Sequence, residues 1–267
     1  MSFLSENDIF LSREYIESGY LVRSVADIGA YNRIREAVSS TTAQILGLTN
    51  NVDPNVLLDL IHNYVNPKEL NAFRLEIINS LKQNPNIRND YFQVAKPFLE
   101  ALVGNELAMQ RQLNLSIQLP GDDSSLLALH ADTWSGDSAY EVVVWLPLVD
   151  CFRTKAMYIL PPEHAREFEL KSNTDLGSPG VNSESLFELI KDKVIWIEIN
   201  REQVLIFDQT LPHGNRVNDE TETRWSLNCR FKSVFTPYGD KKIGEFFQPI
   251  TLRAASRRGM DYSLPEI

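Results

Sequence analysis

The chain has 267 residues, 43% of them hydrophobic, 10% aromatic and 23% charged. These proportions suit a globular protein with a sizeable core and exclude a collagen-like, low-complexity or disordered chain. With 26 Lys and Arg against 36 Asp and Glu the formal charge is −10, so there is no basic balance of the kind nucleic-acid binders carry, and small polar partners fit better than DNA or an anionic membrane.

Residues 1–110 read mostly as helix. Ser12 is placed to cap a helix running to Gly19. Asp27 to about Leu46 has few breakers and carries apolar Ile34, Ala37, Val38, Ile45 and Leu46. Pro67 suits the first turn of a helix, and Leu70, Phe73, Ile77 and Leu81 then fall on one face at steps of three and four. Phe92, Ala95, Phe98, Leu99 and Leu102 form a second such stripe. From residue 111 the rhythm changes to short β-rich runs at 112–119, 140–147, 155–160, 194–199, 203–207 and 224–235, separated by Gly, Pro, Asp and Asn. Residues 170–184, with Gly177, Ser178, Pro179 and Gly180, read as a long surface loop, residues 185–191 as a short helix, and 251–267 as a tail with solvated Arg253, Arg257 and Arg258. Helices first and strands later specify α+β rather than an alternating βαβ chain. The expected organisation is one domain, with a helical support in 1–110 and a strand-built core in 111–250. Cys151 and Cys229 are isolated and read as buried free thiols. No apolar run reaches the length of a membrane span, and the N-terminal stretch lacks the order of a signal peptide, so a cytoplasmic location is expected. Nothing in the sequence specifies an oligomeric state.

The chemistry concentrates at histidines. Of the four (His62, His130, His164 and His213), His130 is separated from Asp132 by one alanine, so on a strand the two side chains share a face. His213 follows another β-rich run much later in the chain. Two imidazoles and one carboxylate make a 2-His-1-carboxylate set, which holds one face of an octahedral iron and leaves three positions for a bidentate cosubstrate and O₂. A structural zinc site would fill its sphere with Cys or His, and no cysteine lies near either histidine. Arg224, eleven residues beyond His213 (224 − 213), and Ser226 occupy alternate positions of the next strand. A guanidinium pairs bidentately with a carboxylate, and the hydroxyl adds a further bond, which suits a dicarboxylic cosubstrate such as 2-oxoglutarate. Trp134, Tyr140 and Asn215 flank the motifs and are candidate substrate contacts, Trp145 reads as core, His62 as structural, and His164 as a turn or pocket-lining residue.

His130-Ala131-Asp132, then His213, then Arg224-X-Ser226, resembles the Fe(II)/2-oxoglutarate-dependent oxygenases. The phytanoyl-CoA-hydroxylase-like branch is matched best, through FLSREYIESGYLVRSVAD near the start and VVVWLPLVDCFRTKAMYILPPEH with Trp145, Thr154 and His164, so that the likeness runs over about residues 10–250. The turn before His164 reads Pro-Pro-Glu-His where the branch has a Pro-Gly-Ser-His-like sequence. RWSLNCRF and TPYGDKKIGEFFQPI are also similar to bacterial oxygenases of carbohydrate and aminoglycoside biosynthesis. The resemblance implies a double-stranded β-helix, that is, a cupin-like jelly roll, with iron held by His130, Asp132 and His213. It implies 2-oxoglutarate and O₂ as cosubstrates, with Arg224 and Ser226 on the distal carboxylate and Thr154 and Gln118 as further contacts. Arg230, six residues after Arg224 and on its face, is a second candidate anion or substrate contact. The implied reaction oxidises a small molecule, a sugar-derived metabolite by the last likeness, and releases succinate and CO₂. Another metal-dependent cupin (an isomerase, or a dioxygenase without cosubstrate) and a non-catalytic sugar-binding jelly roll are the competing readings.

Overall fold

The computed structural model describes residues 2–48, 53–175 and 183–263. Helix α1 (Glu6–Ser18) starts about two turns earlier than Ser12 suggests, because Ser5 caps it by accepting from the Asp8 amide. It ends at Gly19, whose φ of 78° is left-handed and where a Cβ would run into the Leu211 side chain. The chain then enters strand β1 (Tyr20–Ser24). Helix α2 (Ile28–Ile45) is capped by Asp27, and the short α3 (Pro54–Asp59) follows. Helix α4 (Pro67–Gln83) opens on its proline and buries the expected stripe of Leu70, Phe73, Ile77 and Leu81. The second stripe is divided between α5 (Ile87–Gln93) and α6 (Lys96–Leu102). Pro97, in the first turn of α6, has no N–H to continue a helix through it.

The strands are β2 (Leu107–Gln110), β3 (Asn114–Gln118), β4 (Glu141–Pro147), β5 (Met157–Ile159), β6 (Ile195–Ile197), β7 (Gln203–Asp208), β8 (His213–Gly214), β9 (Arg224–Ser233) and β10 (Phe247–Pro249). A seven-stranded antiparallel sheet has the order β1-β7-β4-β9-β2-β10, with β3 also paired to β9, and a three-stranded sheet has the order β6-β5-β8. Strand β9 is the pivot of the larger sheet. It registers Arg224 on Gln118, Ser226 on Ser116 and Asn228 on Asn114 along one edge, and Asn228 on Trp145 and Arg230 on Val143 along the other.

Alternation on β9 decides the layers. Trp225, Leu227, Cys229 and Phe231 face the helices and are fully buried. Phe73 of α4 meets Trp225 edge-on at 6.3 Å, and the Trp225 indole donates to the Leu58 carbonyl. Tyr91 of α5 donates to Val144 and Leu227 carbonyls at 2.8 and 3.1 Å. The opposite face of β9 carries Arg224, Ser226, Asn228 and Arg230, and it looks into the space between the two sheets.

Several expectations are corrected. Residues 170–175 continue helix α7 (Pro162–Asp175), and α8 (Ser183–Glu188) begins before 185; the middle of the expected 170–184 loop, with Gly177 to Gly180, lies outside the described residues. The tail contains helix α9 (Ala254–Met260). The helical half contributes β1 and β2 to the larger sheet. Cys151 and Cys229 are buried free thiols, as expected. Among the described residues no helix is long and apolar enough to cross a membrane.

Candidate metal centre

His130 and His213 meet through backbone pairing. Each amide donates to the other's carbonyl, at 3.0 and 2.8 Å, in an isolated antiparallel bridge, which brings the two rings to 4.4 Å between centroids. Asp132 opens a 3-10 turn, Asp132–Ser135, instead of continuing a strand. Its amide bonds the Gln209 carbonyl at 3.1 Å, and this tie returns the carboxylate to the histidines, 3.7 Å from His130 Nε2. One ligand atom from each of the three residues falls within 4.8 Å of the others, so a single ion can reach all three.

Both imidazoles are aimed by their own backbone. His130 Nδ1 lies 2.7 Å from the Ala128 carbonyl and His213 Nδ1 lies 2.8 Å from the Leu211 carbonyl. A carbonyl only accepts, so each Nδ1 carries the proton and each Nε2 keeps its lone pair for a metal. Burial, with His130 next to it, pushes the His213 pKa down to about 4, so the ring is neutral at neutral pH, as a ligand must be.

Asp132 is held from behind. Arg230 donates to its Oδ1 at 2.7 Å, bonds Gln209 Oε1 at 3.2 Å, and lies 3.4 Å from Asp137 Oδ1 as an ion pair. Lys241 pairs with the other Asp137 oxygen at 2.5 Å. Gln209 in turn donates to Glu141 at 3.1 Å, whose pKa burial raises. Arg230, expected as an anion or substrate contact, lines the cavity, and in the structure its guanidinium is paired with the ligand carboxylate of Asp132.

The cavity beside the three residues measures about 300 Å³ and is lined from both sheets, by Ser116, Trp145, Phe207 and Arg230 on the large one and by Met157 and Gly214 on the small one. Gly214 must be glycine, since a Cβ there would stand 2.6 Å from the Tyr158 hydroxyl and 2.9 Å from the Leu127 carbonyl. Arg224 also lines the cavity and is 2% exposed. Its guanidinium donates to Ser116 Oγ at 3.2 Å, while its Nε has no partner. No described carboxylate pairs with it, and burial lowers its pKa from 12.5 to about 10. Ser226 Oγ, Gln118 Oε1 and Asn215 Nδ2 are likewise buried without partners. An unpaired buried charge with unpartnered donors at Arg224 Nε, Ser226 Oγ and Asn215 Nδ2 is costly, and an anionic ligand relieves that cost.

The other expected residues are placed as follows. Gln118 is buried beside Arg224 and donates to the Arg216 carbonyl at 2.5 Å. Asn215 lines the cavity, its Oδ1 accepting from the Leu127 amide. Thr154 does not share a strand face with the site. It sits in a 3-10 turn, Arg153–Lys155, with Arg153 at φ 46°, and its hydroxyl serves Glu220 and the Asp219 amide. Trp134 is 41% exposed and stacks on Phe168 of α7 outside the cavity. Tyr140, 58% exposed, borders a different groove with Tyr15 and Thr236. His164 lies at the start of α7 near Glu163, and His62 bonds Thr223. Sequence reasoning missed Ser116, Asn114 and Arg74 on the cavity wall, and Gln209, Asp137 and Lys241 behind Asp132. The first two were signalled by polar residues at every second position of Asn114–Gln118.

No protein-family model matches the sequence, and no curated protein is similar to it in sequence. Solved structures are similar in shape. A complex titled non-heme monooxygenase ThoJ with nickel has a TM-score of 0.58 at 11% identity, over 92% of this chain and 85% of the other. The alpha-ketoglutarate-dependent carbocyclase SnoK from nogalamycin biosynthesis has 0.55 at 14%, over 93% and 97%. EctD from S. alaskensis with 2-oxoglutarate and 5-hydroxyectoine has 0.54 at 17%, over 88% and 78%. The chain has the α+β, cupin-type jelly-roll fold of these structures.

Proposed function

We propose that the chain is an Fe(II)- and 2-oxoglutarate-dependent oxygenase of the phytanoyl-CoA-hydroxylase-like branch that oxidises a small polar, sugar-derived metabolite, with succinate and CO₂ as coproducts. His130, Asp132 and His213 hold the iron, which supplies O₂ activation when bound. Arg224 takes the distal carboxylate of 2-oxoglutarate, with the Ser226 and Ser116 hydroxyls completing its bonds and Gln118 buried beside them. Arg230 fixes Asp132, and Trp145 and Phe207 keep bulk water from the cavity. Asn215, aimed into the cavity with a free Nδ2, orients the bound molecules.

The observation that carries this reading is Arg224, a buried guanidinium without a carboxylate on the same cavity wall system as three convergent metal ligands. A cupin isomerase or a dioxygenase without cosubstrate leaves that charge without a purpose, and a metal-free sugar binder leaves the pre-set Nε2 lone pairs without one. The neighbours support the same chemistry: SnoK is an alpha-ketoglutarate-dependent carbocyclase, EctD is seen with 2-oxoglutarate, and ThoJ is a non-heme monooxygenase seen with nickel. A cavity of about 300 Å³ is at the small end for ligand pockets, which fits a metabolite beside the cosubstrate. The test is succinate release from 2-oxoglutarate. Release that requires both Fe(II) and air, and that is lost in Asp132→Ala, supports the reading; no release from iron-loaded protein refutes it.

A further inference from the structure

The charges around the cavity do not cancel once the proposed iron and cosubstrate are placed. Arg230, Asp132, Asp137 and Lys241 form a closed neutral set. A divalent metal and the dianion of 2-oxoglutarate cancel each other, which leaves Arg224, where the cosubstrate's distal carboxylate would sit, as one net positive charge. One further guanidinium lines the cavity: Arg74 of α4. It is half-buried, its side chain bonds the neutral Asn71 Oδ1 at 2.7 Å, and it pairs with no carboxylate among the described residues. Beside it in the lining are Asn114 and Asn228, joined amide to amide at 2.9 Å across β3 and β9. Asn228 stands one same-face step along β9 from Arg230, about 7 Å at two residues per step. The wall of the cavity that holds the metal ligands therefore also presents a cation and two amides. The lining residues supply only one carboxylate, that of Asp132.

We infer that the substrate carries an anionic group, a carboxylate or a phosphate, bound by Arg74 at the outer end of the cavity, with Asn114 and Asn228 bonding the polar skeleton between that group and the metal. The inference rests on the oxygenase reading for the location of the reacting end. The anion site itself rests on Arg74 and the unbalanced charge. In a chain of net charge −10 the surrounding surface disfavours anions, so any preference for an anion comes from the cations of the pocket itself.

The test uses three probes that differ in one group: glycerol 3-phosphate, glycerate and glycerol. Each is titrated calorimetrically into protein loaded with Fe(II) and saturating 2-oxoglutarate without oxygen. At least one anion is expected to bind, with glycerol at least about tenfold weaker, and whichever anion binds better identifies the group. Arg74→Gln is expected to weaken the anion about tenfold and Arg74→Lys to restore part of it, with 2-oxoglutarate binding unchanged in both. Equal binding of glycerol, undiminished anion binding in Arg74→Gln, or no anion binding to protein that binds 2-oxoglutarate would overturn the inference. If 2-oxoglutarate itself fails to bind, the oxygenase reading fails, and the same titration of the unloaded protein decides the Arg74 site alone.

Discussion

Arg224 separates binding from stability, because the same residue is a liability in the empty protein and an anchor in the loaded one. Replacement by methionine keeps the stem and removes the guanidinium. In the unliganded protein that charge is desolvated, with its pKa lowered from 12.5 to about 10, a penalty of about 3 kcal/mol at neutral pH. It is offset by one bond to Ser116, worth about 1 kcal/mol. Arg224→Met is therefore expected to be at least as stable as wild type in urea without ligand. Binding moves the opposite way. Two charge-assisted bonds to a carboxylate, about 1.5–3 kcal/mol each, correspond to roughly 10²–10⁴ in affinity at about 1.4 kcal/mol per tenfold. Metal-loaded wild type with 2-oxoglutarate at a hundred times its Kd gains about 2.7 kcal/mol from the cosubstrate, visible as a rise in Tm, and the metal-loaded variant gains at most about 0.4 kcal/mol at the same concentration. A variant that is markedly less stable without ligand, and whose Tm still climbs with 2-oxoglutarate, would refute the reasoning.

Arg230→Gln removes the bond to Asp132 Oδ1. It should weaken Co(II) binding by about tenfold or more and alter the cobalt absorption spectrum; unchanged affinity and spectrum would mean that Asp132 is positioned without it. Tyr91→Phe deletes a hydroxyl that serves two buried carbonyls and should lower the unfolding free energy by about 1–3 kcal/mol, while 2-oxoglutarate affinity stays at wild-type level. Cys151 and Cys229 both have their pKa raised by burial from 9.0 to about 12. The unfolded chain thus loses these protons near pH 9 while the folded chain keeps them, so stability falls as pH rises from 9 towards 12. The native protein should resist alkylation at pH 8.5, and urea should expose both thiols together. Fast labelling of the folded protein would contradict their burial.

The legible parts of the fold are those where local pattern and tertiary environment agree. The stripe from Leu70 to Leu81 is core in the structure because a 3.6-residue period has one reading, and the stretch read from Asp27 becomes helix from Ile28, where the Asp27 carboxylate accepts from the Ala30 amide. Strand β2, Leu-Ala-Met-Gln, was invisible: its residues favour helix, and only pairing with β9 and β10 makes it a strand. Strand β1 was hidden for a related reason, since it becomes a strand by pairing with β7, far along the chain. The histidines and Asp132 were legible as a set because few ligand types are available in the sequence, although the geometry joining them is a two-residue bridge and a 3-10 turn that no periodicity encodes. Thr154 was implied by the family resemblance alone, and it stands in a turn after Arg153 of positive φ, which no alternation of strand residues encodes. Arg74 was masked by its helix: one polar position among the exposed residues of α4 gives no sign that a cavity opens beside it.

The central claim is that two imidazoles and one carboxylate hold iron beside a carboxylate clamp, and the visible absorption of the Fe(II)–2-oxoglutarate chelate tests it most directly. In oxygen-free buffer, wild type is predicted to develop the charge-transfer band on adding 2-oxoglutarate to the iron-loaded protein. His213→Ala is predicted to lack the band, and Arg224→Met to show it only at far higher 2-oxoglutarate. A wild-type protein that remains colourless, or a His213→Ala variant with the full band, would contradict the account.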